Sequence, residues 1–541
     1  MNRRDFVKIT ATGLAAGAGA AAPAKNRPNI IVILADDMGF SDLGCYGGEI
    51  ATPNIDRLAS SGVRFTHFRN TARCCPSRTS LLTGLYAHQA GVGHMVNPRP
   101  NLPGYAGDLN NKCVTVAQVL QKAGYQTMMA GKWHVTPPNK GKDNWPLQRG
   151  FDKYYGIIGG AASYYQPMTL TRDNTPIEAE GKDYYLTDAI GKNSCQYIEA
   201  AAKSDKPFFL YTAFTAPHWP LHAFESDIAK YKGKYAGGWD QLREERHKRQ
   251  IKMGIVDAKW GITPRDEDIP AWKDAQDKEW YQRRMEVYAA QIDRMDQNIG
   301  RMLETLKKSG KEENTLIMIL ADNGGCAEEQ TIGKRYANAP AKTVDGRDVK
   351  FGNMHDVMPG PDDTFASYGI AWANASNTPF RRYKHWVHEG GIASPLIAHW
   401  PKGIQKPGTI THENGHVIDI MATCVDLAGA TYPGTPILPF EGKSLVPAFN
   451  GKKIQRTDAI YWEHEGNRAV IDGKYKVVSR YPDKWEMYDL EADRCEMHDI
   501  SASDPKRFAS MTARYDAWAK RCTVEPWEKI SKIKAAETTA D

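Results

Sequence analysis

Residues 72–84 read Ala-Arg-Cys-Cys-Pro-Ser-Arg-Thr-Ser-Leu-Leu-Thr-Gly, which sets two adjacent thiols, a proline, a serine and an arginine before a short apolar run. Pro76 fixes its own φ and biases Cys75 away from helical angles, so the string predicts a turn and then a helix beginning near Ser77. A group held at Cys74 would face the positive end of that helix, with Arg78 one turn in. Such a place can hold an anion or stabilise a charge developing on one. An isolated cysteine is more often buried structure or half of a disulfide, so the other chemistry-bearing residues decide.

Those residues recur in pairs. Asp36-Asp37 and Asp322-Asn323 offer hard oxygen donors with no imidazole or thiolate between them, which favours Ca²⁺ or Mg²⁺ over zinc. A single Asp-Asp is usually a solvated turn or a helix cap. Two such pairs, each directly after an apolar β-branched run, reverse that weighting. Lys132, His134, His218 and Lys384 add fixed cations and proton carriers.

The elements that position them follow one grammar. Residues 29–35, 126–130, 207–214, 315–321 and 394–399 are apolar runs of strand length, the first and fourth reading as strands buried on both faces. Amphipathic helices are predicted over 114–123, 284–308 and 417–427, and a short one opens at Thr52-Pro53 with Thr52 as its cap. Alternation of this kind implies an α/β fold with a mostly parallel sheet flanked by helices. The polar clusters all follow carboxyl ends of strands, where open α/β sheets bind ligands, so Asp36, Asp37, Lys132, His134, His218, Asp322 and Asn323 are expected in one crevice. Residues 224–280 read as an irregular, charged insertion over the catalytic face. After about residue 440, four short strands (459–462, 468–471, 475–479, 486–489) and a helix over 505–521 predict a smaller domain of antiparallel sheet plus helix.

The string Cys74-Cys75-Pro76-Ser77-Arg78, followed after three residues by Leu82-Thr83-Gly84, resembles the signature of the type I sulfatases at every fixed position. The resemblance extends from Arg27 through the C-terminal region and implies the alkaline phosphatase-like fold. Residues 216–250 and 377–395 are similar to the bacterial arylsulfatase branch. In that family the first cysteine becomes formylglycine, so Cys74 is expected to be a modified residue made by a maturase before export. The resemblance also implies a calcium site at Asp36, Asp37, Asp322 and Asn323, with the Cys74-derived group as a further ligand.

A sulfate ester is a monoanion whose sulfur is shielded by oxygen, so hydrolysis needs a strong nucleophile, charge neutralisation and help for the leaving group. The family chemistry implies attack by a hydrated aldehyde, a sulfated intermediate with loss of the alcohol, and ejection of sulfate by the second hydroxyl. Arg78, Lys132 and Lys384 would then hold sulfate oxygens, Lys384 standing five residues before Glu389 as the family lysine does before its Glu-Gly-Gly. His218 would protonate the leaving oxygen, His134 would assist elimination, and Asp322 could accept a proton as well as bind metal. Substrate contacts are expected from Lys132, His218 and Lys384. His88 and His94, and the rings of Trp133, Trp219, Tyr164 and Tyr165, could face substrate, with packing as the default.

Bulk properties bound the remainder. The chain has 541 residues, 41% hydrophobic and 25% charged, with a net charge of +6 and no basic tract interleaved with aromatics, which excludes a nucleic-acid binder. Nine cysteines do not build a disulfide scaffold, although Cys495 and Cys522 could pair in an oxidising compartment. Residues 2–8, Asn-Arg-Arg-Asp-Phe-Val-Lys, followed by a weakly apolar Ala/Gly run, form a twin-arginine export pattern. The expected organisation is a leader over 1–24, a catalytic domain over 25–440 and a C-terminal subdomain over 441–541, in a periplasmic or extracellular protein without a membrane span. Two rivals stand beside a sulfatase acting on a small molecule or glycan: a phosphonate monoester or phosphodiester hydrolase of the same superfamily, and a catalytically silent polysaccharide-binding protein. Specificity is expected in loops such as 156–175 and the insertion after Phe224.

Overall fold

The computed structural model describes residues 27–99, 101–181, 183–336 and 339–538. The expected leader over 1–24 lies outside the described residues. Ten strands form the main sheet: β1 (Asn29–Asp36), β2 (Val63–Phe65), β3 (Gln126–Gly131), β4 (Lys153–Ile157), β5 (Leu170–Arg172), β6 (Thr175–Pro176), β7 (Phe208–Pro217), β8 (Thr315–Ala321), β9 (Leu396–His399) and β10 (Thr409–Thr411). Their order is β10-β2-β9-β8-β1-β7-β3-β4-β5-β6. The five strands β8-β1-β7-β3-β4 are mutually parallel, and antiparallel pairings flank them. β1, β7 and β8 are buried at every position, as their unbroken apolar runs require of strands covered on both faces.

The covering helices are α1 (Pro53–Ser60), α2 (Cys74–Thr83), α3 (Val116–Lys122), α4 (Leu186–Ala202), α5 (Gly238–Met253), α6 (Lys278–Lys308), α7 (Gly369–Ser376) and α8 (Asp419–Ala428). One apolar core, holding Ile31, Ile33, Met285 and Ile292, fills the face under α4 and α6; another, holding Ile30, Val32, Leu81 and Met421, fills the face under α2, α3 and α8. The C-terminal sheet runs β11 (Ile460–His464), β12 (Asn467–Asp472), β13 (Tyr475–Ser479) and β14 (Glu486–Asp489), wholly antiparallel, with α9 (Pro505–Arg521) packed on β12 and β13.

Four expectations need correction. Helix α2 starts at Cys74, not near Ser77, with Arg73 as its N-cap. Pro76 falls in the first turn, where a backbone N–H has no intrahelical acceptor to lose, so it does not delay the helix. Thr52 makes no cap bond to α1; its hydroxyl bonds to Gly44 N and Asp56, while the N–H groups of Asn54 and Ile55 donate to the Asp296 carboxylate of α6 at 3.2 and 2.8 Å. The segment 224–280 is irregular only in part: residues 254–277 are mostly loop, but before them stands the sixteen-residue α5, which packs against α7 and whose Arg246 pairs with Asp42 and Glu49. All nine cysteines are free; Cys495 belongs to the core under α6 and Cys522 packs among Tyr86, Tyr515 and Trp518, so the two do not pair.

Candidate active site at the carboxyl edge of the sheet

The four central strands β8, β1, β7 and β3 end side by side, with Ala35 opposite Ala321, Asp36 opposite Pro217 and Gly131 opposite Ala213. The residues immediately after them, Asp37, Asp322, Asn323, His218, Lys132 and His134, therefore emerge along one edge. Asp37, Ala72 and His134 have φ of 66°, 65° and 54°, in the left-handed region that side chains with Cβ rarely adopt. Strain of this kind persists where surrounding structure over-determines it, and here it turns the chain at the site.

Every one of these residues is buried, Asp36, Lys132, Asp322 and Asn323 completely. Lys132 Nζ donates to Asp36 Oδ2 at 2.6 Å. Arg78 donates through Nε and Nη2 to Asp322 Oδ2 at 3.1 and 2.8 Å, and through Nη1 to Lys132 O at 3.0 Å. Lys384 Nζ lies 2.8 and 2.9 Å from the two oxygens of Asp37 and 3.4 Å from His218 Nε2, which is itself 3.4 Å from Asp37 Oδ2. Asn323 Nδ2 donates to Asp37 Oδ1 at 2.7 Å, and Asp37 N donates to Asp322 Oδ1 at 3.2 Å.

Helix α2 aims its first turn at this edge. Donor atoms of Cys74, Cys75 and His134 lie within 4.8 Å of one another. Ser77 secures the preceding loop: its hydroxyl accepts from Thr71 N at 3.0 Å and bonds the Thr71 hydroxyl at 2.8 Å. The segment carrying Lys384 is clipped on both sides, Lys384 N donating to Gly325 O at 3.1 Å and His385 N to Ala72 O at 2.7 Å. The two glycine pairs allow that docking: Gly324 N donates to Gly391 O, and a Cβ on Gly324 would stand 2.0 Å from Gly390 O.

The electrostatics follow from these contacts. A hydrogen bond from Cys75 holds the Cys74 thiol well below its usual range against burial, with Lys132 and His134 acting in the same sense. Burial brings His134 down to about 4 despite the thiolate beside it, and lowers His218 despite Asp37. Burial and the neighbouring Asp36 push the Asp322 carboxyl well up, against the pull of Arg78. Burial opposes the charge on Lys384, but Asp37, Cys326 and Glu328 outweigh it and raise the ammonium.

The donor set fits a hard divalent ion. Two buried oxygens, Asp36 Oδ1 and Asn323 Oδ1, have no hydrogen-bond partner. Donor atoms of Asp36, Asp37 and His218 stand within 4.8 Å of each other. Asp36 Oδ1 has only the Arg78 guanidinium at 3.4 Å; burying a polar atom without a hydrogen bond costs about 1–3 kcal/mol, so a ligand at these oxygens is expected. Oxygen donors from three carboxylates and one amide are the chemistry of calcium or magnesium.

Glu328 lay outside the sequence reading. It pairs with Arg73 Nη1 at 2.7 Å and accepts from Trp219 Nε1 at 2.9 Å, so it ties the N-cap of α2 to the loop carrying His218. Tyr164 also positions that loop, its hydroxyl lying 2.8 and 2.9 Å from Thr215 O and His218 O. His88 does not face substrate: it bonds Glu463 at 2.8 Å and packs edge-on to Tyr105 and Trp518. Trp133 is fully buried, donating to Asn144 O, and Tyr165 packs on Tyr185 and His222.

Sequence comparison gives this edge its family. Residues 28–430 match the Sulfatase family and residues 381–516 match the family described as N-sulphoglucosamine sulphohydrolase, C-terminal. The chain belongs to the sulfatase family. An uncharacterized sulfatase of Schizosaccharomyces pombe is 34% identical over 521 residues, covering 88% of this chain and 91% of that one. An arylsulfatase of Klebsiella aerogenes is also 34% identical, over 82% of this chain and 96% of its own. The solved structure of Ps i-CgsB with k-i-k-neocarrahexaose superposes with a TM-score of 0.66 at 25% identity, over 91% of this chain and 93% of that one. This sulfatase is a sulfuric ester hydrolase with the alkaline phosphatase-like fold. Among the described residues, no helix is long and apolar enough to cross a membrane.

Proposed function

We propose that this sulfatase hydrolyses sulfate monoesters with a formylglycine made from Cys74 and a calcium ion held by Asp36, Asp37, Asp322 and Asn323. The observation that carries the reading is the position of Cys74 at the first turn of α2, against Lys132 and His134 and beside the carboxylates at the strand ends. When bound, the ion lowers the pKa of a coordinated hydroxyl, and the hydrated aldehyde supplies that hydroxyl together with a second one on the same carbon.

The chain's own residues do the remainder. Lys132, Arg78 and Lys384 now rest on carboxylate oxygens, and they turn toward a bound sulfate as charge grows on its oxygens. His218 Nδ1 lies 2.6 Å from Trp219 O, which fixes the ring with Nε2 beside Lys384; as the imidazolium, protonated on both nitrogens, it donates the Nε2 proton to the departing oxygen and is left neutral. His134, kept neutral by burial, accepts the proton lost in the elimination step. Asp322 serves as ligand and short-range proton acceptor. Lys132, His218 and Lys384 contact the substrate.

The chain divides at about residue 441 into a catalytic domain and a C-terminal subdomain, and a twin-arginine leader exports it to the periplasm or beyond after a maturase has acted. The substrate is a sulfated small molecule or glycan. Paired kinetics on aryl sulfate and aryl phosphonate esters test the reaction: a higher kcat/KM for the sulfate is expected, and preference for the phosphonate overturns the assignment.

A further inference from the structure

Away from the strand ends, four ring and carboxylate side chains meet where the C-terminal sheet touches the Lys384 segment. His94 follows the signature helix. His385 adjoins Lys384, with φ of 94°. His464 and Glu465 form the tip of the β11–β12 hairpin, whose turn residues Glu465 and Gly466 have φ of 49° and 80°, the left-handed pair of a tight hairpin turn. Three separate segments therefore supply the cluster, two from the catalytic region and one from the C-terminal sheet.

One donor atom from each of His94, His464 and Glu465 lies within 4.8 Å of the other two. Glu465 spans the group, with Oε1 2.5 Å from His94 Nε2 and Oε2 3.1 Å from His385 Nδ1. The His464 ring stacks on His94 at 5.4 Å and meets His385 edge-on at 5.4 Å. His464 is completely buried, yet neither of its ring nitrogens has a hydrogen-bond partner, and His94 Nδ1 has none either. Leaving an imidazole in that state is costly unless something takes its lone pair. A cavity of about 290 Å³, lined in part by His385, Glu465, Trp386 and Trp527, gives a route in from solvent.

We propose that His94, His464 and Glu465, with His385 as fourth donor, form a second metal site of zinc type that fastens the C-terminal hairpin to the segment bearing Lys384. Imidazole nitrogens plus one carboxylate suit Zn²⁺ and its neighbours in the first transition row, in contrast to the all-oxygen set at the strand ends. Zinc–nitrogen bonds of about 2.0–2.1 Å require the donors to close inward, which draws the hairpin tip toward the signature loop. The ion thereby stabilises the joint that holds Lys384 in place.

The test uses the full chain stripped with chelator, then dialysed against Co²⁺ in excess Ca²⁺. One equivalent of cobalt with visible d–d absorption, no thiolate charge-transfer band and a raised Tm is expected. His464→Gln and, separately, His94→Gln should lose both the absorption and the Tm rise, while Asp322→Asn keeps them. Should His464→Gln fail to fold, His94→Gln on the loop decides alone. The proposal fails if neither histidine substitution reduces cobalt uptake, if stripped protein takes up none, or if a thiolate band places the ion on Cys74, Cys75 and His134 instead.

Discussion

Two clusters of fully buried charge stand close together in this molecule, and they are built on opposite plans. At the strand ends, Asp36, Asp37 and Asp322 face Arg78, Lys132 and Lys384, Asn323 Oδ1 has no hydrogen-bond partner and Asp36 Oδ1 only the Arg78 guanidinium at 3.4 Å, and the backbone at Asp37 and His134 is left-handed. At the joint with the C-terminal sheet, Glu389 is gripped by Arg69 Nε at 2.8 Å, Arg494 Nε at 2.9 Å and Lys476 Nζ at 3.2 Å, and its N–H donates to Glu496 at 2.9 Å. Arg69, Lys476 and Arg494 hold the Glu389 carboxyl well below its usual range, overcoming burial. The first cluster keeps oxygens short of hydrogen-bond partners; the second commits its carboxylate to joining β13 and the Arg494 segment to the catalytic region. Burial and charge alone do not distinguish chemistry from architecture. Nor do unpartnered atoms or left-handed backbone, since Arg69 Nη2 and both Arg494 Nη atoms also lack hydrogen-bond partners and Glu496 has φ of 59°; what differs is place, the first cluster lying at the carboxyl ends of the parallel strands, where α/β sheets bind ligands.

Substitutions should separate the two by what they damage. Cys74→Ala should lower kcat by at least about 10⁴-fold with Tm nearly unchanged, since alanine keeps Cβ but cannot be converted to the aldehyde, and no ion pair is broken; steady-state kinetics and calorimetry together check this. Glu389→Gln should do the reverse, costing about 3–5 kcal/mol in chemical denaturation because it leaves three buried cations around a neutral amide, while folded enzyme keeps most of its turnover. A Glu389→Gln protein of full stability would show that the joint is not held by charge.

His218→Ala should slow hydrolysis by about 10²–10⁴-fold for alkyl sulfates with poor leaving groups and by much less for nitrophenyl sulfate, whose leaving group needs no proton. Equal losses on both substrates would place His218 in binding rather than acid catalysis.

The catalytic edge was largely legible in the chain because its information is local. Apolar runs ending in Asp36-Asp37 and Asp322-Asn323 name both the strand and the donors, and the string from Cys74 to Gly84 carries its own turn and helix. The joint was not. Glu389 was visible only as part of Glu-Gly-Gly, and its partners Arg69, Lys476 and Arg494 lie up to 320 residues away without any period to link them. Glu328 and Asp296 were missed for the same reason: one joins two loops, the other caps a helix from a distant helix, and neither leaves a mark in its own neighbourhood. The start of α2 was misplaced because a proline in a first turn obeys the same rule as a proline before a helix.

The smallest effect concerns the neutral wall behind His218. Burial brings His222 down to about 4 from an ordinary 6.5, its Nε2 held 2.6 Å from Thr364 O. The folded state thus binds fewer protons than the unfolded chain, so this group's contribution is present above pH 6.5 and is lost as pH falls toward 4. The loss amounts to about 3 kcal/mol at most. His222→Gln should flatten the acid limb of the stability curve between those values.

The most direct measurement is the mass of the peptide spanning residues 72–84 from preparations of graded specific activity, made with and without a formylglycine maturase. A species about 18 Da lighter at Cys74 is expected, its fraction rising in proportion to kcat. Full activity from protein carrying only the unmodified thiol at position 74 would contradict it.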